Sequence, residues 1–164
     1  MKVYRPTFRL LADVERVLAS GRPSFGKSPL DEVVDLLCCG RHYAWVGIFL
    51  ARGEDAPQHL LCRGADAPVH GSAQAAATQA GPAQVVLPET RSKILISLKL
   101  ASRELGVLSV ESDRENAFGS EDRVLLEGVA DAVARFLTGR GKYLARRARQ
   151  QTTDSQPAPQ ARVA

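Results

Sequence analysis

Between Glu89 and Leu137 the hydrophobic period changes from that of a strand to that of a helix, and the rest of the chain must be arranged around this change. In Lys93 to Leu100 the apolar residues Ile94, Ile96, Leu98 and Leu100 take every second position against Lys93, Ser97 and Lys99, the spacing of a strand with one dry face. After a tight connection, residues 103 to 112 place Leu105, Val107, Leu108 and Val110 on both faces, as a strand in the middle of a sheet requires. Gly106 interrupts that strand, where a missing side chain marks a close approach by another backbone or a bend. The polar run Ser112 to Ser120 ends at a helix start: Ser120 is the expected cap, and Glu121 and Asp122 favour the positive end of the helix dipole. From there Leu125, Leu126, Val129, Val133, Phe136 and Leu137 recur at helical spacing, so one face of this helix must be buried.

Upstream, Leu10, Leu11, Val14, Val17 and Leu18 form one stripe over Phe8 to Ala19, a first helix that the Gly, Pro and Ser of residues 20 to 27 terminate. A second helix is punctuated at both ends, with Ser28 as cap, Pro29 in the first turn and Gly40 at the close. Leu30, Val33, Val34, Leu37 and Cys38 share its face. Tyr43 to Ala51 reads as a strand in which Trp45 and Phe49 alternate with Val46, Ile48 and Leu50, and a turn over Arg52 to Pro57 leads to a partner strand at Gln58 to Arg63. A short helix around Ser72 to Gln79 and a brief strand at Val85 to Leu87 are expected next. The last fourteen residues, from Gln151, have too little apolar content to order themselves.

A chain of 164 residues suits one domain with a single core. No run of about 18 uninterrupted apolar residues exists and the N-terminal residues lack a signal-type apolar core, so the expectation is a cytoplasmic protein without a membrane span. Three cysteines, two of them adjacent, give neither a disulfide framework nor a zinc spacing. The net charge of +4 sits in one place: residues 140 to 149 carry five basic side chains and no acid, which leaves the rest of the chain at −1. The expected boundaries are therefore 1–139 for the domain and 140–164 for a basic segment and disordered tail. A charge run of this kind is ordinarily a solvated edge, so nucleic acid is not an expected partner.

The strings RSKILISLK, GVLSVESD and NAF, and SED ahead of a hydrophobic helix, resemble the C-terminal half of a GAF domain, and most of all the free methionine-(R)-sulfoxide reductase branch. With a second match through Tyr43 to Ala51 and Gly71 to Pro88, the resemblance spans about two thirds of the chain. It implies an α+β fold with an antiparallel sheet of about five to six strands and helices packed on it. It also implies a ligand pocket on one face of the sheet and a homodimer built through the first and last helices.

The same resemblance shows what is missing. The small-residue turn that carries a cysteine in the reductases falls at Gly71-Ser72-Ala73, and the loop bearing another shrinks to Leu87-Pro88-Glu89-Thr90. The acid expected after Ser92 is Lys93, and of two acids expected in GVLSVES one is Ser109 and the other is Glu111. The cysteines present fall elsewhere: Cys38 on the apolar face of the second helix, Cys39 at its end and Cys62 in a strand, positions suited to packing. No catalytic residue, metal site or cofactor is expected, since His42, His59 and His70 show no ligand spacing. The candidate ligand-binding residues are Trp45, Arg91, Ser92, Glu111, Ser112 and Asp113. The expected function is a non-catalytic sensory or regulatory module that binds a small molecule or mediates dimerisation in signalling. Two alternatives stand beside it: a sulfoxide reductase using displaced cysteines, and a structural dimer with a closed pocket.

Overall fold

The computed structural model describes residues 4–50, 59–63 and 91–154. Helix α1 spans Thr7–Ser20 and α2 spans Pro29–Gly40. Strands β1 (Trp45–Leu50) and β2 (His59–Arg63) follow, then β3 (Ser92–Leu100) and β4 (Arg103–Ser112). Helix α3 covers Ser120–Thr138 and α4 covers Lys142–Asp154. Among the described residues the strands form one antiparallel sheet in the order β2-β1-β4-β3. The short helix expected near Ser72 and the strand at Val85 to Leu87 lie outside the described residues.

The helices occupy one side of the sheet. Helix α3 packs on β3 and β4, α2 on β1 and β2, and α1 against both α2 and α3. The core between them holds Val46, Ile48 and Leu50 of β1, Leu108 and Val110 of β4, and Ile96 and Leu98 of β3. These meet Leu10 and Val14 of α1, Leu30, Val34 and Leu37 of α2, and Leu125, Val129 and Val133 of α3, so the period-two and helical stripes of the sequence do face one another. Helices α1 and α3 run parallel: Leu11 lies against Gly128, Glu15 pairs with Arg135 at 3.9 Å, and Arg140 donates a hydrogen bond to the Ala19 carbonyl. No helix among the described residues is long and apolar enough to cross a membrane.

Local chemistry accounts for the boundaries. Ser28 Oγ accepts from the Asp31 amide at 3.2 Å while the Asp31 carboxylate accepts from the Ser28 amide at 2.9 Å, a reciprocal cap for α2. At the start of α3 the expected cap moves by one residue: Gly119 occupies the cap position, its amide donates to Asp122 at 3.2 Å, and Ser120 is already helical. Gly40 does not close α2 in a left-handed turn either, since Arg41 follows it in extended backbone. Gly40 instead lets α1 come close, because a Cβ there would lie 3.1 Å from the Leu10 methyls.

Two further expectations are corrected. Leu100 does not belong to the dry face of β3, because the register with β4 slips between Leu98 and Lys99 and leaves Leu100 exposed. The basic stretch after Gly139 is a helix that runs through Asp154, four residues into the segment expected to be disordered, with Ala145 and Leu144 packed on the core. Its sequence is too polar to register as core-forming; the two apolar side chains suffice because α4 contacts α3 and β2.

Candidate functional site

The face of the sheet turned away from the helices carries the remaining alternate positions, and antiparallel pairing sets them in rows. Trp45, Glu111 and Lys93 form one row across β1, β4 and β3; Gly47, Ser109 and Leu95 form the next; Phe49, Val107 and Ser97 form the third. Glu111, Ser109 and Phe49 are fully buried and Trp45 is 4% exposed. Toward β3 the face opens, with Leu95 at 43%.

Two features of that face are chemical. Lys93 Nζ lies 3.2 Å from Glu111 Oε1, an ion pair on a surface where an isolated buried carboxylate would be strongly disfavoured. Ser109 Oγ, buried beside it, has no hydrogen-bond partner among the described residues. The aromatic part is built by Gly47: a Cβ there would fall 2.2 Å from the Trp45 ring, so the indole lies along the strand in the space the glycine leaves. It leans toward Phe49, with ring centroids 6.0 Å apart and planes tilted by 47°, a contact geometry that aromatic pairs favour.

A second polar cluster ties the helix starts together. Tyr43 donates to Asp122 Oδ1 at 2.7 Å, Arg41 NH2 donates to Thr7 Oγ1 at 2.6 Å, and the Arg41 guanidinium sits 4.1 Å from the centre of the Tyr4 ring. Burial, reinforced by the hydrogen bond to Asp122, holds the Tyr43 phenol well above the ordinary tyrosine range. This cluster lies among the helix ends and joins the start of α1 to the start of α3.

No family model matches the chain, and no curated protein matches it in sequence. Its backbone does have relatives among solved structures. The free methionine-R-sulfoxide reductase of Neisseria meningitidis, solved with its substrate, superposes with a TM-score of 0.64 at 20% identity, over 87% of this chain and 99% of that one. The GAF domain of a phosphoenolpyruvate-protein phosphotransferase from Coxiella burnetii gives 0.59 at 13% identity, over 85% and 96%. A type II free methionine-R-sulfoxide reductase from Thermoplasma acidophilum gives 0.54 at 19% identity, over 76% and 95%.

The fold is that of a GAF domain.

Within this GAF fold the six residues expected at the ligand mouth separate into two groups. Trp45 and Glu111 stand on the buried helix-free face. Arg91, Ser92, Ser112 and Asp113 stand at the adjoining ends of β3 and β4, and the two serines there serve the backbone. Ser92 Oγ donates to the Arg114 carbonyl at 2.5 Å and accepts from the Ala117 amide at 3.4 Å; Ser112 Oγ donates to the His42 carbonyl at 3.2 Å and accepts from the Arg114 amide at 3.2 Å. Arg91 pairs with Glu115 at 3.4 Å in the open, and Asp113 is exposed. Together they pin the loop after β4 beside the GAF sheet.

Lys93, Ser109 and Phe49 are the members of the buried face that sequence reasoning did not put forward as ligand residues. The signal was present for Lys93 and Ser109, which occupy the places where the reductases are expected to have acids. Without the register, though, nothing said that these two positions and Trp45 come together. Cys38 is buried on α2 among the core side chains and Cys39 is exposed on the same helix; both belong to the helical layer, on the opposite side from Trp45 and Glu111. Among the described residues no group of three or more His, Cys, Asp or Glu is placed to hold a metal ion.

Proposed function

We propose that this chain is a non-catalytic regulatory module of GAF type, which binds a small molecule on the helix-free face of a sheet completed to five or six strands. It acts in the cytoplasm, as a homodimer joined through α1 and α3. The observation that carries this reading is the make-up of the face itself: an aromatic wall and polar groups are gathered there, while the two cysteines whose side chains are described lie in the helical layer. A sulfoxide reduction by thiol chemistry needs a thiolate at the substrate and a second thiol within reach, and Lys93 and Ser109 stand where the resemblance calls for acids.

Dimerisation is supported by the outer seam of the parallel helix pair. Phe8 of α1 is 71% exposed and Val124 of α3 is 61% exposed. Each lies one turn before the contact between Leu11 and Gly128, so the two fall at the same level of the pair and give an apolar strip that a second copy would cover.

The reductase reading is favoured by one finding, the likeness in fold to the Neisseria and Thermoplasma enzymes. One experiment addresses both readings. The intact chain is incubated with free methionine-R-sulfoxide and a thiol reductant, and in parallel screened by thermal shift against small-molecule classes, with its mass followed by light scattering. The expected result is a raised Tm with at least one class, which binding produces by mass action, a dimeric mass and no sulfoxide turnover. Turnover that disappears in Cys62→Ser would refute the non-catalytic reading.

A further inference from the structure

The positive charge of the chain is gathered at and just before α4. Residues 140 to 149 carry five basic side chains and no acid, and most of that run belongs to a helix docked on the core by Leu144 and Ala145. We propose that the outer face of α4 binds a single strand of nucleic acid, with its phosphates held by Lys142, Arg146 and Arg147 and one base stacked on Tyr143.

Docking fixes which way these side chains point. At 3.6 residues per turn Lys142, Tyr143, Arg146 and Arg147 fall within an arc of about 140°, opposite to Leu144 and Ala145. All four are exposed, Tyr143 by 42%. Among the described residues none of the three cations has an ion-pair partner, whereas Arg5, Arg16, Lys27 and Arg135 each pair with an acid. In the sequence this run reads as a solvated edge. Held on a docked helix it is an uncompensated array already in order, which meets a polyanion without the ordering cost that a free tail bears.

The ring among the cations selects the kind of polyanion. Tyr143 precedes Arg146 and Arg147 by three and four residues, so both arginines start beside it on the helix surface. Guanidinium forks match phosphate oxygens two at a time, and an exposed ring gives an unstacked base a surface. An acidic peptide would use the cations but not, by its charge alone, the ring. A duplex keeps its bases stacked on one another, so Tyr143 gains nothing there. A membrane surface takes up the apolar side of a basic helix, and here Leu144 and Ala145 hold that side against the core. Lys142 and Arg146 are about 6 Å apart along the helix axis, close to the separation of successive phosphates in a strand.

The test uses the intact chain. Labelled oligothymidylate and oligouridylate of about twelve nucleotides are compared by fluorescence anisotropy with a duplex of the same length and with polyglutamate, and by co-sedimentation with vesicles of phosphatidylcholine and phosphatidylserine. At least one oligonucleotide should bind at low salt with a Kd of about 1–100 μM, more than fivefold more tightly than the duplex, the polyglutamate or the vesicles. Three phosphate contacts give a slope of about −2 in log K against log salt. Arg146→Gln with Arg147→Gln, which keeps good helix formers in place, should bring that slope to about −0.7. Tyr143→Ala should weaken binding at least fivefold and leave the slope as it was. Absence of oligonucleotide binding, an affinity untouched by Tyr143→Ala, a slope untouched by the double variant, or a duplex, polyglutamate or vesicle affinity within fivefold of the single strand each overturns the proposal.

Discussion

Replacing Gly106 by alanine tests whether the close approach of β1 and β4 sets the geometry of the site. Gly106 pairs with Leu50 on one side and Leu98 on the other, and a Cβ at this position would lie 1.9 Å from the Phe49 carbonyl oxygen and 3.1 Å from Leu50 Cα. A carbon and an oxygen in contact settle at about 3.3–3.6 Å, so the backbones must part by about 1.5 Å, nearly a third of the ordinary 4.8 Å strand spacing. Both obstructing atoms belong to backbone, and no side-chain rotation relieves them. Ladder hydrogen bonds at this end of the pair would stretch out of range, at about 1 kcal/mol each. Phe49 and Leu50, 0% and 3% exposed, would lose part of their packing, and strain of this type typically costs about 1–3 kcal/mol. The expected destabilisation is therefore about 3–5 kcal/mol. Urea unfolding followed by Trp45 fluorescence measures it. An alanine that fits without strain stabilises by about 0.4–1 kcal/mol through the unfolded chain, so a loss below about 1 kcal/mol, or any gain, would refute the argument.

Tyr43→Phe removes the hydrogen bond to Asp122 and should cost about 1–2 kcal/mol. Because the phenol is held above its ordinary value in the folded chain, the unfolded chain gives up this proton first as the medium turns alkaline; the stability gained from Tyr43 is complete below about pH 10 and is lost above it. Unfolding curves from pH 8 to 11 should show that loss in the parent and a smaller one in the variant, and identical slopes would count against it. Phe25 holds φ of 48° with its side chain fully exposed at the tip of the Ser24–Lys27 turn, so Phe25→Asn, which tolerates this backbone, should raise stability by up to about 1 kcal/mol; a lower Tm would contradict that. Lys93→Met removes the ammonium that lies 3.2 Å from the buried Glu111 carboxylate and should cost about 2–4 kcal/mol, while Lys93→Met with Glu111→Leu should return most of it; a double variant as unstable as the single one would show that the pair is not the cause.

Much of the framework was legible before any coordinates. The stripe over Leu125 to Leu137 and the alternation at Ile94, Ile96 and Leu98 state which faces are dry, because burial enforces their periods. Gly106 announced a backbone approach that the structure places at Phe49, and Ser28 with Pro29 announced the start of α2. Helix α4 was not legible, since among the described residues it meets the core through Leu144 and Ala145, and a basic surface hides so small a contact.

The candidate site shows the same division more sharply. Its residue types were all in view: Trp45 alternating with Val46, a lysine where an acid was expected, a serine in place of another. What could not be read was that Trp45, Glu111 and Lys93 fall in one row. A strand's sequence records which residues share its own face; it carries nothing about the register against its neighbours, and a slip of one residue would send every side chain to the other side. The sequence alone thus determined the elements and the dry side of each, because those follow from local spacing. Only the assembled sheet decided that a lysine and a glutamate meet at 3.2 Å beside the buried Ser109 hydroxyl and next to an aromatic wall, because these contacts join three separate strands whose alignment is set by the packing of the whole core.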